Sequence, residues 1–123
     1  MANKSILLVE DDRAIREILE LKLNNAGFSV KIAENGEQAI EQLKTGKFDL
    51  ILMDLIMPQM NGFDLLEKLH GLNNQIPKIV MSNLDQPEDI EKVKKMGAIT
   101  FLSKFETTIT GIVDYVKKYF EGQ

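Results

Sequence analysis

The sequence predicts an α/β domain built on a doubly wound, five-stranded parallel sheet with helices on both faces. Three observations predict it. Five short apolar runs alternate strictly with five helical patterns, and such alternation calls for parallel strands joined by right-handed crossovers. The run from Leu50 to Met53 is apolar without interruption, as a strand buried on both faces must be. Polar residues stand just past the apolar runs, at the carboxyl ends where open α/β sheets place their chemistry.

Each element has its own signal. Ile6 to Val9 forms the first strand, ended abruptly by Glu10, Asp11 and Asp12. Ile15, Ile18, Leu19, Leu23 and Ala26 share one helical face, and Gly27 is a credible stop. Phe28, Val30 and Ile32 alternate with Ser29 and Lys31, the pattern of a half-exposed edge strand. Asn35 can cap a short helix carrying Ala39, Ile40 and Leu43, closed by Gly46. After the third strand, Asp54 ends the apolar run and Pro58 and Gly62 punctuate a loop. The helix beyond carries Phe63, Leu66 and Leu69. Ile79 to Met81 is the fourth strand and closes on Ser82. Pro87 suits the first turn of a helix holding Ile90, Val93 and Met96, stopped by Gly97. Ile99 to Leu102 is the fifth strand, and Ile109, Ile112, Val113, Val116 and Phe120 mark the last helical face.

Composition excludes several classes. At 123 residues, 44% hydrophobic and 28% charged, the chain has the makings of one globular domain, spanning 1–123. A net charge of -4 argues against a direct nucleic-acid surface. With no cysteine there is no disulfide framework, thiolate metal site or cysteine nucleophile. No stretch approaches a membrane span, and Met-Ala-Asn-Lys-Ser lacks the apolar core of a signal peptide. The cytoplasm is the expected compartment, with no membrane insertion.

On this architecture Glu10, Asp11 and Asp12 follow strand one, Asp54 ends strand three, Ser82 ends strand four and Lys104 lies past strand five. They converge on one edge of the sheet. Close carboxylates repel unless a cation joins them, and hard oxygen ligands suit Mg²⁺. There is no phosphate-binding Gly-x-x-x-x-Gly-Lys loop, no Gly-x-Gly-x-x-Gly and no Gly-x-Ser-x-Gly elbow. A carboxylate beside Mg²⁺, a lysine and a hydroxyl make a phosphoryl-transfer site. Asp54 would attack phosphorus, the metal and Lys104 would neutralise the equatorial oxygens, and Ser82 would donate a hydrogen bond. The bland reading is that Asp54 merely begins a turn.

Ile-Leu-Leu-Val-Glu-Asp-Asp at 6–12, Met-Asp-Leu-Ile-Met-Pro-Gln-Met-Asn-Gly at 53–62, Ser82, and Phe-Leu-Ser-Lys at 101–104 together resemble the receiver domains of two-component response regulators, of the chemotaxis-regulator type. The resemblance covers essentially the whole chain. It implies the flavodoxin-like (βα)5 fold with strand order 2-1-3-4-5. It also implies a phosphoacceptor signalling module and not an enzyme in the ordinary sense, since it catalyses only its own aspartyl phosphorylation and dephosphorylation. Asp54 would be the phosphoacceptor, taking its group from a sensor histidine kinase or a histidine phosphotransfer protein with Mg²⁺ as cofactor. Asp11 and Asp54 would be direct side-chain ligands, the Ile56 backbone carbonyl a third, and Glu10 would act through a metal-bound water. Three acids in a row leave two registers open. Glu10 with Asp11 is preferred over Asp11 with Asp12, because Asp12 is then free to cap the following helix. Lys104 would contact the phosphoryl group, Ser82 would be the hydroxyl switch and Phe101 the aromatic switch. Phosphorylation would then alter the surface of helix four, strand five and helix five toward an unknown downstream protein target.

Four positions depart from the family pattern. Phe105 follows Lys104 where a proline in a cis peptide is usual; a non-proline cis bond would cost roughly 3 kcal/mol. Asn83 stands where a small residue is usual, and Ile56 and Leu84 flank the site with apolar side chains that cannot orient a hydrolytic water. Unusual dephosphorylation kinetics are expected, in a direction left open. His70 reads as a surface or helix-end residue, which argues against a histidine donor. Met53, Met57 and Met60 read as packing. Glu91 and Lys95 read as a solvated helix face. Phe101 could equally be plain core, and Tyr115 and Tyr119 could be packing or partner surface. Gly111 and the β-branched residues of the last helix leave open whether the phosphorylated form dimerises. The chain is either a stand-alone regulator or a receiver cut from a longer protein. Two rival readings exist. A phosphatase of the haloacid-dehalogenase type would want Asp-x-Asp, but Ile56 stands at the second position; a phosphorylation-independent interaction module would not need Asp54, Asp11 and Lys104.

Overall fold

A computed structural model of the chain describes residues 4–57, 60–72, 74–83, 86–104 and 106–122. Five strands and five helices alternate: β1 (Ser5–Val9), α1 (Arg13–Asn25), β2 (Ser29–Ala33), α2 (Gly36–Thr45), β3 (Leu50–Asp54), α3 (Gly62–Gly71), β4 (Lys78–Ser82), α4 (Pro87–Lys95), β5 (Ala98–Ser103) and α5 (Ile109–Glu121). All pairings are parallel and the order is β2-β1-β3-β4-β5, as the resemblance implied.

Successive side chains of a strand point to opposite faces, and here each face has its own core. Leu7, Val9, Ile51, Met53 and Val80 face Ala39, Leu65, Leu66, Leu69 and Val93 of α2, α3 and α4. Ile6, Leu8, Leu50, Leu52, Ile79 and Met81 face Leu19, Leu23, Ile112, Val113, Val116 and Phe120 of α1 and α5. The chain therefore winds one way from β1 to β2 and the other way from β3 onward, opening a crevice between β1 and β3 at their carboxyl ends.

Helix ends follow their caps. Asp12, Asn35, Asn61 and Thr108 each accept a hydrogen bond from the amide three residues on, at 2.9 to 3.0 Å. Pro87 opens α4, and Gly27 and Gly97 take φ of +99° and +102° after α1 and α4, the left-handed stop that glycine alone adopts freely.

Several details differ from the expected pattern. Phe28 precedes β2, because its amide still closes the end of α1 on the Leu23 carbonyl; its buried ring packs on Phe120 at 5.4 Å. Ile18 lies at the margin of the α1 stripe and is exposed. β4 begins one residue early, at a buried lysine, Lys78. Ile99 is exposed because the register steps from Lys78–Ala98 to Ile79–Thr100, leaving it as the extra residue of a bulge. His70 is exposed near the end of α3, Glu91 and Lys95 pair at 2.9 Å on the outer face of α4, and Met53 and Met57 are core. Tyr119 packs edge-on against Phe120 while Tyr115 is exposed. No helix among the described residues is long and apolar enough to cross a membrane.

Candidate phosphoryl-transfer site

Glu10, the first residue after β1, is fully buried, its amide still bonded to the Ala33 carbonyl at 3.0 Å as the last rung beside β2. Its Oε2 accepts from the Asp12 amide at 3.1 Å, and Asp12 in turn caps α1 through Ile15. The turn thus faces one acid inward and commits another to the helix. Asp11, between them, is exposed.

Asp54 closes β3 and is 5% exposed. Its Oδ1 accepts from the amides of Leu55 at 2.7 Å and Ile56 at 3.2 Å. Its Oδ2 accepts from Lys104 Nζ at 2.7 Å, and the same ammonium donates to Glu10 Oε1 at 2.6 Å. Lys104 reaches this position because its amide bonds to the Ser82 carbonyl at 3.0 Å, extending the β4–β5 pairing one residue past the strand. Ser82 is fully buried at the end of β4. Phe101 is half-buried and packs against the core on the α2, α3 and α4 side. Ile56 is exposed beside Asp54, and Asn83 is exposed beside Ser82.

Burial pushes the Glu10 carboxyl above its ordinary range, a shift that the bond and charge of Lys104 reduce without cancelling. Burial also disfavours the charge on Lys104, but hydrogen bonds to Asp54 and Glu10 and their charges outweigh it and raise that ammonium. The lysine is therefore held charged between two acids.

Carboxylate oxygens of Glu10, Asp11 and Asp54 lie within 4.8 Å of one another, and no other such cluster occurs among the described residues. Three carboxylates face one ammonium, an excess of negative charge of the size a divalent cation would cancel. Hard oxygen donors of this kind fit Mg²⁺.

The structure thus gathers Glu10, Asp11, Asp54 and Lys104 and puts Ser82 at the neighbouring strand end. Phe101 lies two pairs along β5 from Ser103, the partner of Ser82, on the side facing α4. Leu84, Pro58, Phe105 and the peptide between Lys104 and Phe105 lie outside the described residues. Two contributors escaped the sequence reading. Gly62 seats its amide on the Leu55 carbonyl at 2.8 Å, where an added Cβ would stand 2.5 Å from the Asp54 carbonyl oxygen; the glycine was visible, but not what it touches. Arg16 donates to the carbonyls of Glu10 and Asp11; an arginine one turn after an acidic triplet was the available signal.

The family described as "Response regulator receiver domain" matches residues 6–114. Sporulation initiation phosphotransferase F of Bacillus subtilis (strain 168) is 34% identical over 119 residues, covering 97% of this chain and 95% of that protein. Transcriptional regulatory protein ZraR of Escherichia coli (strain K12) is 36% identical over 102 residues, which are 83% of this chain but only 23% of that regulator. The solved receiver domain of the Francisella response regulator 1452 superposes with a TM-score of 0.89 at 28% identity, over 97% of this chain and 98% of that one.

Proposed function

Because the chain belongs to the response regulator receiver family, we propose that it is a single receiver domain whose Asp54 accepts a phosphoryl group from a phosphohistidine. The donor would be a sensor histidine kinase or a histidine phosphotransfer protein. The observation that carries this reading is the Lys104 ammonium bridging Asp54 and Glu10 at the carboxyl edge of the sheet.

The chemistry follows from the chain's own groups. Two backbone amides hold Oδ1 of Asp54 and Lys104 holds Oδ2, so the carboxylate is oriented before a donor arrives. One of its oxygens forms the new O–P bond as the donor's N–P bond breaks, and the imidazole leaves with that electron pair. Lys104 then exchanges a carboxylate oxygen for a phosphoryl oxygen and neutralises the charge that develops there. Mg²⁺, held by Asp11, Asp54, the Ile56 carbonyl and Glu10 through a water, would supply further neutralisation of the phosphoryl oxygens. Asp12 is committed to the helix cap, which favours Glu10 with Asp11 as the acidic pair.

The readout is a biased equilibrium between two arrangements. The Ser82 hydroxyl donates to the new phosphoryl oxygens, Phe101 turns into the space beside β4, and the α4, β5 and α5 surface changes its affinity for a downstream protein. Intact mass after incubation with acetyl phosphate tests the first step. A gain of one phosphoryl group, roughly 80 Da, that needs Mg²⁺ and disappears in Asp54→Asn is expected. If the parent neither gains it nor binds beryllofluoride with Mg²⁺, the switch is refuted in favour of a phosphorylation-independent interaction module.

A further inference from the structure

We propose that Arg16 is a positioning residue: by gripping the carbonyls on both sides of Asp11 it fixes where the Asp11 carboxylate stands for the divalent cation. The inference rests on the reading of Glu10, Asp11 and Asp54 as the Mg²⁺ site.

Arg16 Nη1 lies 3.3 Å from the Glu10 carbonyl oxygen and 3.2 Å from that of Asp11, while its backbone amide takes the Asp12 carbonyl at 2.9 Å. One residue thus holds three successive carbonyls. Peptide units are planar, and the Glu10 and Asp11 carbonyls belong to the two planes that meet at the Asp11 α-carbon. Fixing both planes fixes the direction in which that α-carbon projects its side chain.

Asp11 needs this more than its neighbours do. Glu10 is held by Lys104 and the Asp12 amide, and Asp54 by Lys104 and two amides. The Asp11 carboxylate is exposed, and no hydrogen bond among the described residues goes to it. Its placement depends on its backbone. Nor is Arg16 drawn inward by an ion pair. Its side chain is 15% exposed, yet Glu34, its one salt-bridge partner among the described residues, stands 4.0 Å away and is itself mostly exposed; such pairs contribute little.

Charge alone predicts the opposite sign. A guanidinium beside a cation site repels the cation, so if Arg16 acted only as a charge its removal would tighten Mg²⁺ binding. Lysine separates the two effects, because it keeps the charge but carries it on a freely rotating ammonium, in place of a planar guanidinium whose Nη1 holds its two N–H bonds in fixed directions toward the two carbonyls.

The test is a calorimetric Mg²⁺ titration of the unphosphorylated protein, comparing the parent, Arg16→Lys, Arg16→Met and Arg13→Met. Arg13 sits on the same helix in an exposed pair with Glu17 and serves as the control. Both Arg16 variants are expected to bind Mg²⁺ about tenfold or more weakly, the usual loss when support behind a metal ligand is removed. Arg13→Met is expected to match the parent. Parental affinity in Arg16→Lys, or tighter binding in Arg16→Met, would overturn the proposal, even if either variant lost stability. If Arg16→Met fails to fold, Arg16→Lys decides alone. A parent that binds no Mg²⁺ would bring down the metal reading itself and this inference with it, an outcome distinct from variants that bind as the parent does.

Discussion

Gly62 and Gly71 open and close the same helix, and alanine at the two positions is expected to move stability in opposite directions. At Gly62 an added Cβ would lie 2.5 Å from both the Asp54 carbonyl oxygen and the Leu55 α-carbon. Both are backbone atoms at the end of β3, so no side chain can swing away to make room. Overpacking of this kind costs up to about 3 kcal/mol. Replacing glycine in a helix returns about 0.5–1 kcal/mol through the unfolded chain. The net loss is therefore about 2 kcal/mol, which lowers a urea midpoint by roughly 1 M at an ordinary denaturant slope. At Gly71 nothing lies within 4 Å of the added Cβ, so only the favourable part remains and the midpoint should rise by a few tenths of a molar unit. Equilibrium urea unfolding followed by far-UV circular dichroism measures both. A Gly62→Ala midpoint at or above that of the parent would refute the steric argument. Because the displaced atoms belong to Asp54 and its neighbour, Gly62→Ala should also take up phosphate from acetyl phosphate more slowly, whereas Gly71→Ala should not.

Two lysines give predictions with defined pH signs. Lys78 is 6% exposed and donates to the carbonyls of Ile76 at 2.7 Å and Asn74 at 3.3 Å; burial lowers its pKa. A lysine whose folded pKa lies below its unfolded one carries a cost at neutral pH that is relieved as pH rises toward about 10, so the stability of the parent relative to Lys78→Met should climb over that interval; a flat or falling difference in urea midpoints would contradict this. Lys104 has the reverse shift, so the stability it confers is fully present below the ordinary lysine pKa and lost as pH rises through its raised value. Lys104→Met should lose roughly 3 kcal/mol at pH 8, because Glu10 and Asp54 are left buried without their cation. The loss should shrink as pH falls and the Glu10 carboxyl, raised by burial, takes up a proton; equal stability of parent and variant at pH 8 would count against the bridge.

Much of the fold was legible because periodicity reports burial directly. The uninterrupted run at Leu50 to Met53 became the central strand, and Asp12, Asn35 and Pro87 each began the helix assigned to it. The errors fell where tertiary contacts override local pattern. Phe28 looks like the first alternating residue of a strand but is held by α1, and Ile99 is apolar yet turned outward by a bulge fixed by its pairing with β4. Strand order came from resemblance, since alternation alone does not rank the strands. The candidate site was legible as a set of strand-end residues. That one ammonium would bridge Glu10 and Asp54 could not be read, because their contacts depend on three-dimensional distances. Arg16 was missed for a related reason: its partners are backbone carbonyls, which leave no mark in a sequence.

The bridge at Lys104 has a bearing on how the chain reaches its folded state. Lys104 is separated by 50 residues from Asp54 and by 94 from Glu10, and the β-strand that delivers it is the last of the five and lies at the sheet's edge. Closing so long a loop is entropically unfavourable until the intervening strands have paired. An arrangement with β1 and β3 paired but β5 undocked would bring the acids together without their counter-charge, and their repulsion would oppose it. Docking of β5 sets the ammonium between Glu10 and Asp54 and reduces that repulsion. The final strand is thereby coupled to the first and third through charge as well as through packing, and a chain that has not finished folding does not yet have an oriented acceptor.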